Sequence, residues 1–271
     1  MYETLADRVI LVTGASGIAA AGARLFGSAG APVFIVSRTP EKCITLTEEI
    51  AESGGVADWA TADLTVEADA DAATQACLER FGRIDGLFAV AGGSGRRFGD
   101  GPIHEMELTG WEATLKLNGH PAFLAARNAV RVMRLQEPNN SGTRGAVVLV
   151  TSVLATSPVP SHFATHAYAA VKGAEVSLTT TMASYYAPDL IRVNAIAPGL
   201  VRTPMAARAA DDPVISAYAA GKQPMAGGLL GPEEIAAAGA FFLGDASRHI
   251  TGQVLAVDGG WSVTEASGQV S

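Results

Sequence analysis

The stretch Val12–Ala23, VTGASGIAAAGA, decides the fold. A β-branched apolar run leads into it and an alanine-rich segment leads out, with two early glycines, Gly14 and Gly17, between. That order reads as a strand, a tight turn and a helix. In such a unit the turn's amides and the positive end of the helix dipole face one point, which suits a phosphate. A third small residue normally lets the helix approach the strand, and here it is either Ala19 or Ala20. A glycine-rich turn after a strand is common, so its neighbours carry the argument.

Working outward, short apolar runs recur between longer helix-like segments. They cover 8–13, 32–37, 55–63, 86–92, 145–152, 191–198 and 253–260. Uniformly apolar strands are expected to be buried on both faces, which implies a parallel sheet between helices. The alternation of strand and helix selects a Rossmann-type, doubly wound α/β fold, with seven mostly parallel strands in a single domain spanning 1–271. Its ligand crevice is expected at the C-terminal ends of the strands. Two irregular stretches fall there. One is Gly92–Pro102; the other, about 199–231, reads as a mobile substrate cover containing a helix that shifts as a unit. The polar tail 264–271 is expected either to fray or to pack on a partner subunit.

Composition narrows the function. The 271 residues are 48% hydrophobic and 17% charged, as in a folded chain with a large core. A net charge of −8 argues against a general nucleic-acid binder. No apolar run reaches the ~18 residues of a membrane span, and there is no signal-peptide pattern. The two cysteines, Cys43 and Cys77, fall in helix-like segments and give no disulfide framework. The expected setting is the cytoplasm, and no metal-ligating cluster is expected.

The second strand ends in Ser37 and Arg38, where an NAD site would carry a carboxylate for the ribose. A guanidinium there can bind a 2′-phosphate in a bidentate manner, so NADP(H) is the preferred cofactor and NAD(H) the alternative. Arg38 also reads as a solvated loop charge. Asp63 and Leu64 follow the third strand; Asp63 is read either as a partner for the adenine amine or as a helix N-cap. Ala91 and Gly92, small residues ending the fourth strand, leave room for a nicotinamide ribose.

YAAVK, Tyr168–Lys172, is the most informative pentapeptide. Positions four apart share a helix face. A neighbouring ammonium favours phenolate, which makes Tyr168 a candidate acid/base. Ser152 ends the fifth strand and can hydrogen-bond a substrate oxygen. Asn118 lies mid-helix, three residues before Pro121. That proline has no N–H for the Leu117 carbonyl, so a kink and a free carbonyl able to hold water are expected.

These pieces resemble the short-chain dehydrogenase/reductase family from about Asp7 to Val263: TGASGIA (13–19), VTS (150–152), YAAVK (168–172), RVNAIAPGLVRTPM (192–205) and ITGQVLAVDGGWS (250–262). The last two resemble the branch containing 3-oxoacyl-carrier-protein reductases. The resemblance implies an NADP(H)-dependent oxidoreductase interconverting a ketone or aldehyde and a secondary alcohol. Tyr168 is then the proton donor and acceptor, and Ser152 orients the carbonyl. Lys172 lowers the phenol pKa and binds the nicotinamide ribose, while Asn118 holds a water linking Lys172 to solvent. Gly14, Ser16, Gly17 and Ile18 form the phosphate loop. Pro198, Gly199, Val201 and Thr203 line the nicotinamide side. A homotetramer or homodimer is implied, with close packing at the helices near Trp111–Met133 and Ala164–Ala187.

Departures from the pattern are specific. The glycine loop is one residue short, or arranged as Gly-x-x-Gly-x-x-Ala. The usual asparagine of Asn-Ala-Gly is Val90. Tyr168 follows Ser152 by 16 positions, longer than usual, which keeps Ser157 and Ser161 as fallbacks. The insertion brings His162 and His166 near the site as surface or wall residues. Arg96 and Arg97 read either as holders of a substrate carboxylate or phosphate, or as solvated loop or subunit-contact residues. Two other function classes remain on the same fold, a catalytically silent NADP(H) sensor and a structural subunit. The retained Tyr168 and Lys172 weigh against the first.

Overall fold

The computed structural model describes residues 5–265. Seven strands form one parallel sheet in the order β3-β2-β1-β4-β5-β6-β7. They are β1 (Ile10–Thr13), β2 (Val33–Ser37), β3 (Ala57–Thr61), β4 (Gly86–Ala89), β5 (Gly145–Val150), β6 (Ile191–Pro198) and β7 (Val254–Val257). The eight α-helices among the described residues are α1 (Ile18–Ser28), α2 (Pro40–Glu52), α3 (Glu67–Phe81), α4 (Leu108–Leu135), α5 (His166–Tyr186), α6 (Ala207–Asp211), α7 (Pro213–Lys222) and α8 (Pro232–Leu243). This is the doubly wound single domain expected from the strand–helix alternation.

Alternation along the strands builds two cores. Ile10 and Val12 of β1 face a cluster that takes in α1, α2 and α8, while Val9 and Leu11 face one made with α3, α4 and α5. Each such Val, Ile or Leu contributes about 1.5–3 kcal/mol of burial. Close approach needs glycine in places. A methyl on Gly22 of α1 would lie 2.7 Å from the Phe88 ring, and one on Gly239 of α8 would lie 2.8 Å from it. Phe88 itself meets Phe26 edge-on at 5.3 Å.

The expectation of uniform burial fails at β7. Val254 and Leu255 are each 40% exposed, because β7 is an edge strand paired only with β6. The strands are also shorter than the apolar runs: β4 ends at Ala89, and 90–92 already turn away. Cys43 and Cys77 lie in α2 and α3 as expected, both buried and unpaired.

The chain reverses its winding between β1 and β4, so the crevice opens where their C-terminal ends diverge. The absent asparagine is compensated here. Thr13 Oγ1 accepts hydrogen bonds from the amides of Val90 (2.9 Å) and Ala91 (3.0 Å), tying the end of β1 to the chain leaving β4. Of the tail, Thr264 is held by bonds to the carbonyls of Lys222 and Gly260; the rest, 266–271, lies outside the described residues.

Candidate active site

The glycine loop resolves its own ambiguity. Gly14 has φ +102° and Gly17 φ +54°, conformations that side-chain-bearing residues rarely adopt. A methyl on Gly14 would meet Ala19 Cβ at 3.0 Å. Ala19 therefore takes the third glycine's place, and the short loop closes because this residue packs directly onto the turn. A methyl on Gly17 would meet Thr203 Cγ2 at 2.9 Å, so Thr203 sits against the loop as the fold's own neighbour. No side chain caps the N-terminus of α1 and no acid occupies its first turn. Its free amides and positive dipole end fit a pyrophosphate.

Fourteen of the expected site residues line one cleft of about 280 Å³: Gly14, Ser16, Gly17, Ile18, Ala91, Gly92, Asn118, Ser152, Tyr168, Lys172, Pro198, Gly199, Val201 and Thr203. Ser37, Arg38, Asp63 and Leu64 lie outside it, at the ends of β2 and β3. There the Asp63 carboxylate accepts the Thr65 amide at 2.9 Å. That bond, helped by the Arg38 and Lys116 charges, holds its pKa below the ordinary value against the opposing effect of burial. The N-cap of α3 is Val66, so Asp63 forms a turn and is not the helix cap. Leu64 is buried against Phe34 and Val36 as part of the wall. Arg38 is exposed.

Tyr168, Lys172 and Glu175 lie along one face of α5, and Glu175 is the member the sequence reading missed. Lys172 Nζ donates to both Glu175 carboxylate oxygens (3.0 and 2.9 Å) and to the Val150 carbonyl at the end of β5 (2.9 Å). Both partners are buried. The i, i+4, i+7 spacing was the signal available for it. Burial pulls the Lys172 pKa down, but the Glu175 carboxylate beside it holds the ammonium above its ordinary value. Glu175 is itself raised, by burial more than Lys172 can offset.

The expectation for the phenol needs correcting. Lys172 and the Ser152 hydroxyl do favour phenolate, but burial and the Glu175 charge outweigh them, and the Tyr168 pKa is raised. The Lys172 ammonium lies 5.8 Å from the centre of the phenol ring. With three bonds already made inside the protein, it must exchange one to hold a ribose hydroxyl.

Ser152 is the serine the geometry selects: it is buried and in the cleft, while Ser157 and Ser161 are not. Its Oγ accepts the Leu154 amide (3.2 Å), which leaves its proton free to donate. The long Ser152–Tyr168 interval folds back on a small core of Val153, Val159 and Trp261.

Asn118 makes three hydrogen bonds inside the protein. Its Oδ1 accepts from the Gly93 amide (2.9 Å), and its Nδ2 donates to the carbonyls of Gly93 (3.1 Å) and Thr114 (2.9 Å). The side chain is a clamp between α4 and the strand-end loop, with both Nδ2 hydrogens used and one Oδ1 lone pair left. A methyl on Gly92 would meet Asn118 Oδ1 at 2.6 Å, so that glycine permits the clamp. α4 continues through Pro121, whose missing N–H frees the Leu117 carbonyl for water.

Asp100 was also missed. It is buried, and its two carboxylate oxygens accept the amides of Ala167 (2.9 Å) and Tyr168 (3.0 Å), fixing the start of α5 and hence the phenol. Arg96 lines the cleft and donates to the His162 carbonyl; Arg97 does not line it and stacks over Phe98 at 4.6 Å. His162 stacks on Tyr218, and His166 bonds the Gly101 carbonyl; neither lines the cleft.

The expected single cover helix is two. Asp212 ends α6 and caps α7, its Oδ1 accepting the amides of Val214 and Ile215, and Pro213 starts the new helix. Buried Gln223 ties α7 to Leu200 through both backbone atoms.

Comparison with known proteins places this arrangement. The family model described as enoyl-(acyl carrier protein) reductase matches residues 12–262. The cis-4-hydroxycyclohexanecarboxylate dehydrogenase of Sinomonas cyclohexanicum is 35% identical over 263 residues, covering 97% of this chain and 99% of that protein. A short-chain type dehydrogenase/reductase from Mycobacterium ulcerans superposes with a TM-score of 0.87 at 31% identity, covering 96% and 92% of the two chains. A single-residue variant of actinorhodin polyketide ketoreductase, solved with NADPH, gives 0.83 at 30%, covering 94% and 97%. The chain belongs to the short-chain dehydrogenase/reductase family. It is an NAD(P)-dependent oxidoreductase acting on CH–OH groups.

Proposed function

We propose that this enzyme prefers NADP(H) and interconverts a ketone or aldehyde and a secondary alcohol, with Tyr168 as its acid/base. The observation that carries the reading is one cleft holding Tyr168, Lys172 and Ser152 beside the Gly14–Gly17 loop. The secondary alcohol is supported by the relative named for cis-4-hydroxycyclohexanecarboxylate.

The nicotinamide, when bound, supplies or accepts the hydride. Gly14, Ser16, Gly17 and Ile18 hold the pyrophosphate with backbone amides at the start of α1. Thr203, which lies against Gly17, would hold the nicotinamide side together with Pro198, Gly199 and Val201, while Ala91 and Gly92 would leave space for the ribose. Ser37, Arg38, Asp63 and Leu64 form the adenosine end, with the Arg38 guanidinium on the 2′-phosphate. Ser152 donates to the substrate oxygen. In reduction Tyr168 Oη gives that oxygen its proton; in oxidation the phenolate removes it. Lys172 stabilises the phenolate, and Asn118 clamps the loop that shapes the ribose side.

We also propose a homotetramer or homodimer, supported by the exposed apolar edge of Val254, Leu255 and Phe241. Among the described residues no helix is long and apolar enough to cross a membrane. The cytoplasmic reading rests on the buried, unpaired Cys43 and Cys77, the latter's thiol pushed up to about 12 by burial.

Thermal-shift titrations with NADP⁺ and NAD⁺ test the cofactor assignment. NADP⁺ is expected to bind more tightly. Arg38→Asp is expected to change the NADP⁺/NAD⁺ affinity ratio by about tenfold to a hundredfold, the scale of a charge-assisted contact. An unchanged ratio contradicts the role given to Arg38.

A further inference from the structure

The charge lining the cleft does not match the protein. The chain carries 27 acidic and 19 basic residues, net −8. Yet the charged side chains lining this cleft are Arg96, Lys172 and Arg208, with no carboxylate among them. Lys172 is neutralised by Glu175 behind it. Arg96 and Arg208 have no ion-pair partner among the described residues.

The two arginines reach the cleft from different elements. Arg96 comes from the loop after β4 and is anchored by its bond to the His162 carbonyl (2.9 Å). Arg208 comes from α6, one turn beyond Thr203 and Pro204. Both are exposed, as residues at the mouth of a cleft are. They are close enough for Arg208 to act on Arg96: the Arg96 pKa is lowered, first by desolvation and then by the Arg208 charge, with Asp100 opposing. Asp100 gives little direct relief, because both its oxygens are held by the α5 amides. A third observation is independent of charge. Thr165 lines the same cleft, and its hydroxyl is buried without a hydrogen-bond partner. Two like charges and an unused hydroxyl around one space constitute an unfilled demand for an anion with several acceptor oxygens.

The cofactor's phosphates have their own donors, in the free amides at the start of α1 and in Arg38 beyond the cleft. Much of the remaining cleft wall is apolar, including Leu154, Phe163 and Trp261. Building on the oxidoreductase reading, we infer that the substrate is an oxo- or hydroxycarboxylic acid. Its carboxylate sits between Arg96 and Arg208, and its apolar body carries the reacting carbon to Ser152 and Tyr168. A compact carboxylate on an apolar body suits this mixed lining, and net charge −8 repels an acidic carrier protein.

The test uses 4-oxocyclohexanecarboxylate and 6-oxoheptanoate, each beside its methyl ester, with 4-oxocyclohexyl phosphate and an acetoacetyl group on acyl-carrier protein as further arms. Binding to the cofactor-loaded enzyme is read by calorimetry and turnover by NADPH absorbance. At least one acid is expected to bind about tenfold or more tightly than its ester. Arg96→Gln and Arg208→Gln should each erase most of that preference, raising KM for the acid far more than KM for its ester. Equal use of acid and ester overturns the inference, as does a preference that neither variant moves, or better use of the phosphate or the carrier-bound substrate. If acids bind selectively in an Arg96- and Arg208-dependent way but none of these carbonyl compounds is turned over, the anion site stands and the oxidoreductase reading fails. If the esters are turned over as well as the acids, the reverse holds.

Discussion

The two edges of the sheet use their polar groups in different ways. At the N-terminal edge charged groups are committed to structure. Asp85 accepts the Val9 amide (3.1 Å) and grips Arg83 through both oxygens (2.8 and 2.7 Å). Arg8 bonds the Leu243 carbonyl and pairs with Asp245. Arg192 donates to Ser247 and Gly244, with burial and the nearby Arg8 lowering its pKa to about 10. At the C-terminal edge Asp100 and the Lys172–Glu175 pair are also committed, but the groups facing the cleft keep unused capacity: the Ser152 proton, the phenol of Tyr168, and the guanidinium of Arg208. Buried polar groups are normally satisfied; Arg192 Nε and Asn139 Nδ2 at the N-terminal edge are left over inside the packed structure, whereas Thr165 Oγ1 at the other edge opens on the cleft, where a ligand can complete it.

This contrast predicts separable losses. Tyr168→Phe has the largest expected effect: kcat falls about a thousandfold while the melting temperature is unchanged, read by turnover and scanning fluorimetry. Asp85→Ala is the mirror image. It leaves the Val9 amide unpaired and Arg83 without its partner, costing about 2–3 kcal/mol, or roughly 5–10 °C in Tm. Its kcat below the transition should match wild type, and a fall like that of Tyr168→Phe breaks the comparison.

Glu175→Gln has the smallest effect and sharpens the account of the site. The carboxylate raises the Tyr168 pKa, so removing its charge while keeping a hydrogen bond to Lys172 lowers it. Oxidation needs phenolate, and its rate rises as pH passes upward through that pKa. The rising limb of the pH–rate profile should therefore move to lower pH, by about one unit if the pair interacts at the ~1.4 kcal/mol level. A limb that stays in place removes Glu175 from the control of Tyr168.

The sheet was legible because β-branched runs at regular spacing have few alternative uses. What misled was treating every apolar run alike, since pairing and not composition decides which strand is an edge, and β7 is one. Ser152, Tyr168 and Lys172 were legible because helix periodicity and strand-end position are local properties. Asp100 was not, since its link to α5 spans more than sixty residues. Glu175 shares the same helical spacing, but a glutamate seven residues beyond Tyr168 has no local mark that separates a buried partner of Lys172 from a solvated charge. Arg96 and Arg97 are neighbours in sequence with opposite fates, set by a 3₁₀ turn whose cap is Ser94. Thr13 took over the work of an asparagine that Val90 cannot do, which only the paired β1 and β4 ends reveal.

The most direct test of the central claim is made on one sample of Tyr168→Phe, titrated with NADPH by fluorescence and then given a ketone that the wild type reduces. The account predicts wild-type affinity for NADPH together with ketone-dependent consumption reduced about a thousandfold. Consumption at more than about a tenth of the wild-type rate, with the cofactor bound, would contradict Tyr168 as the group that moves the proton.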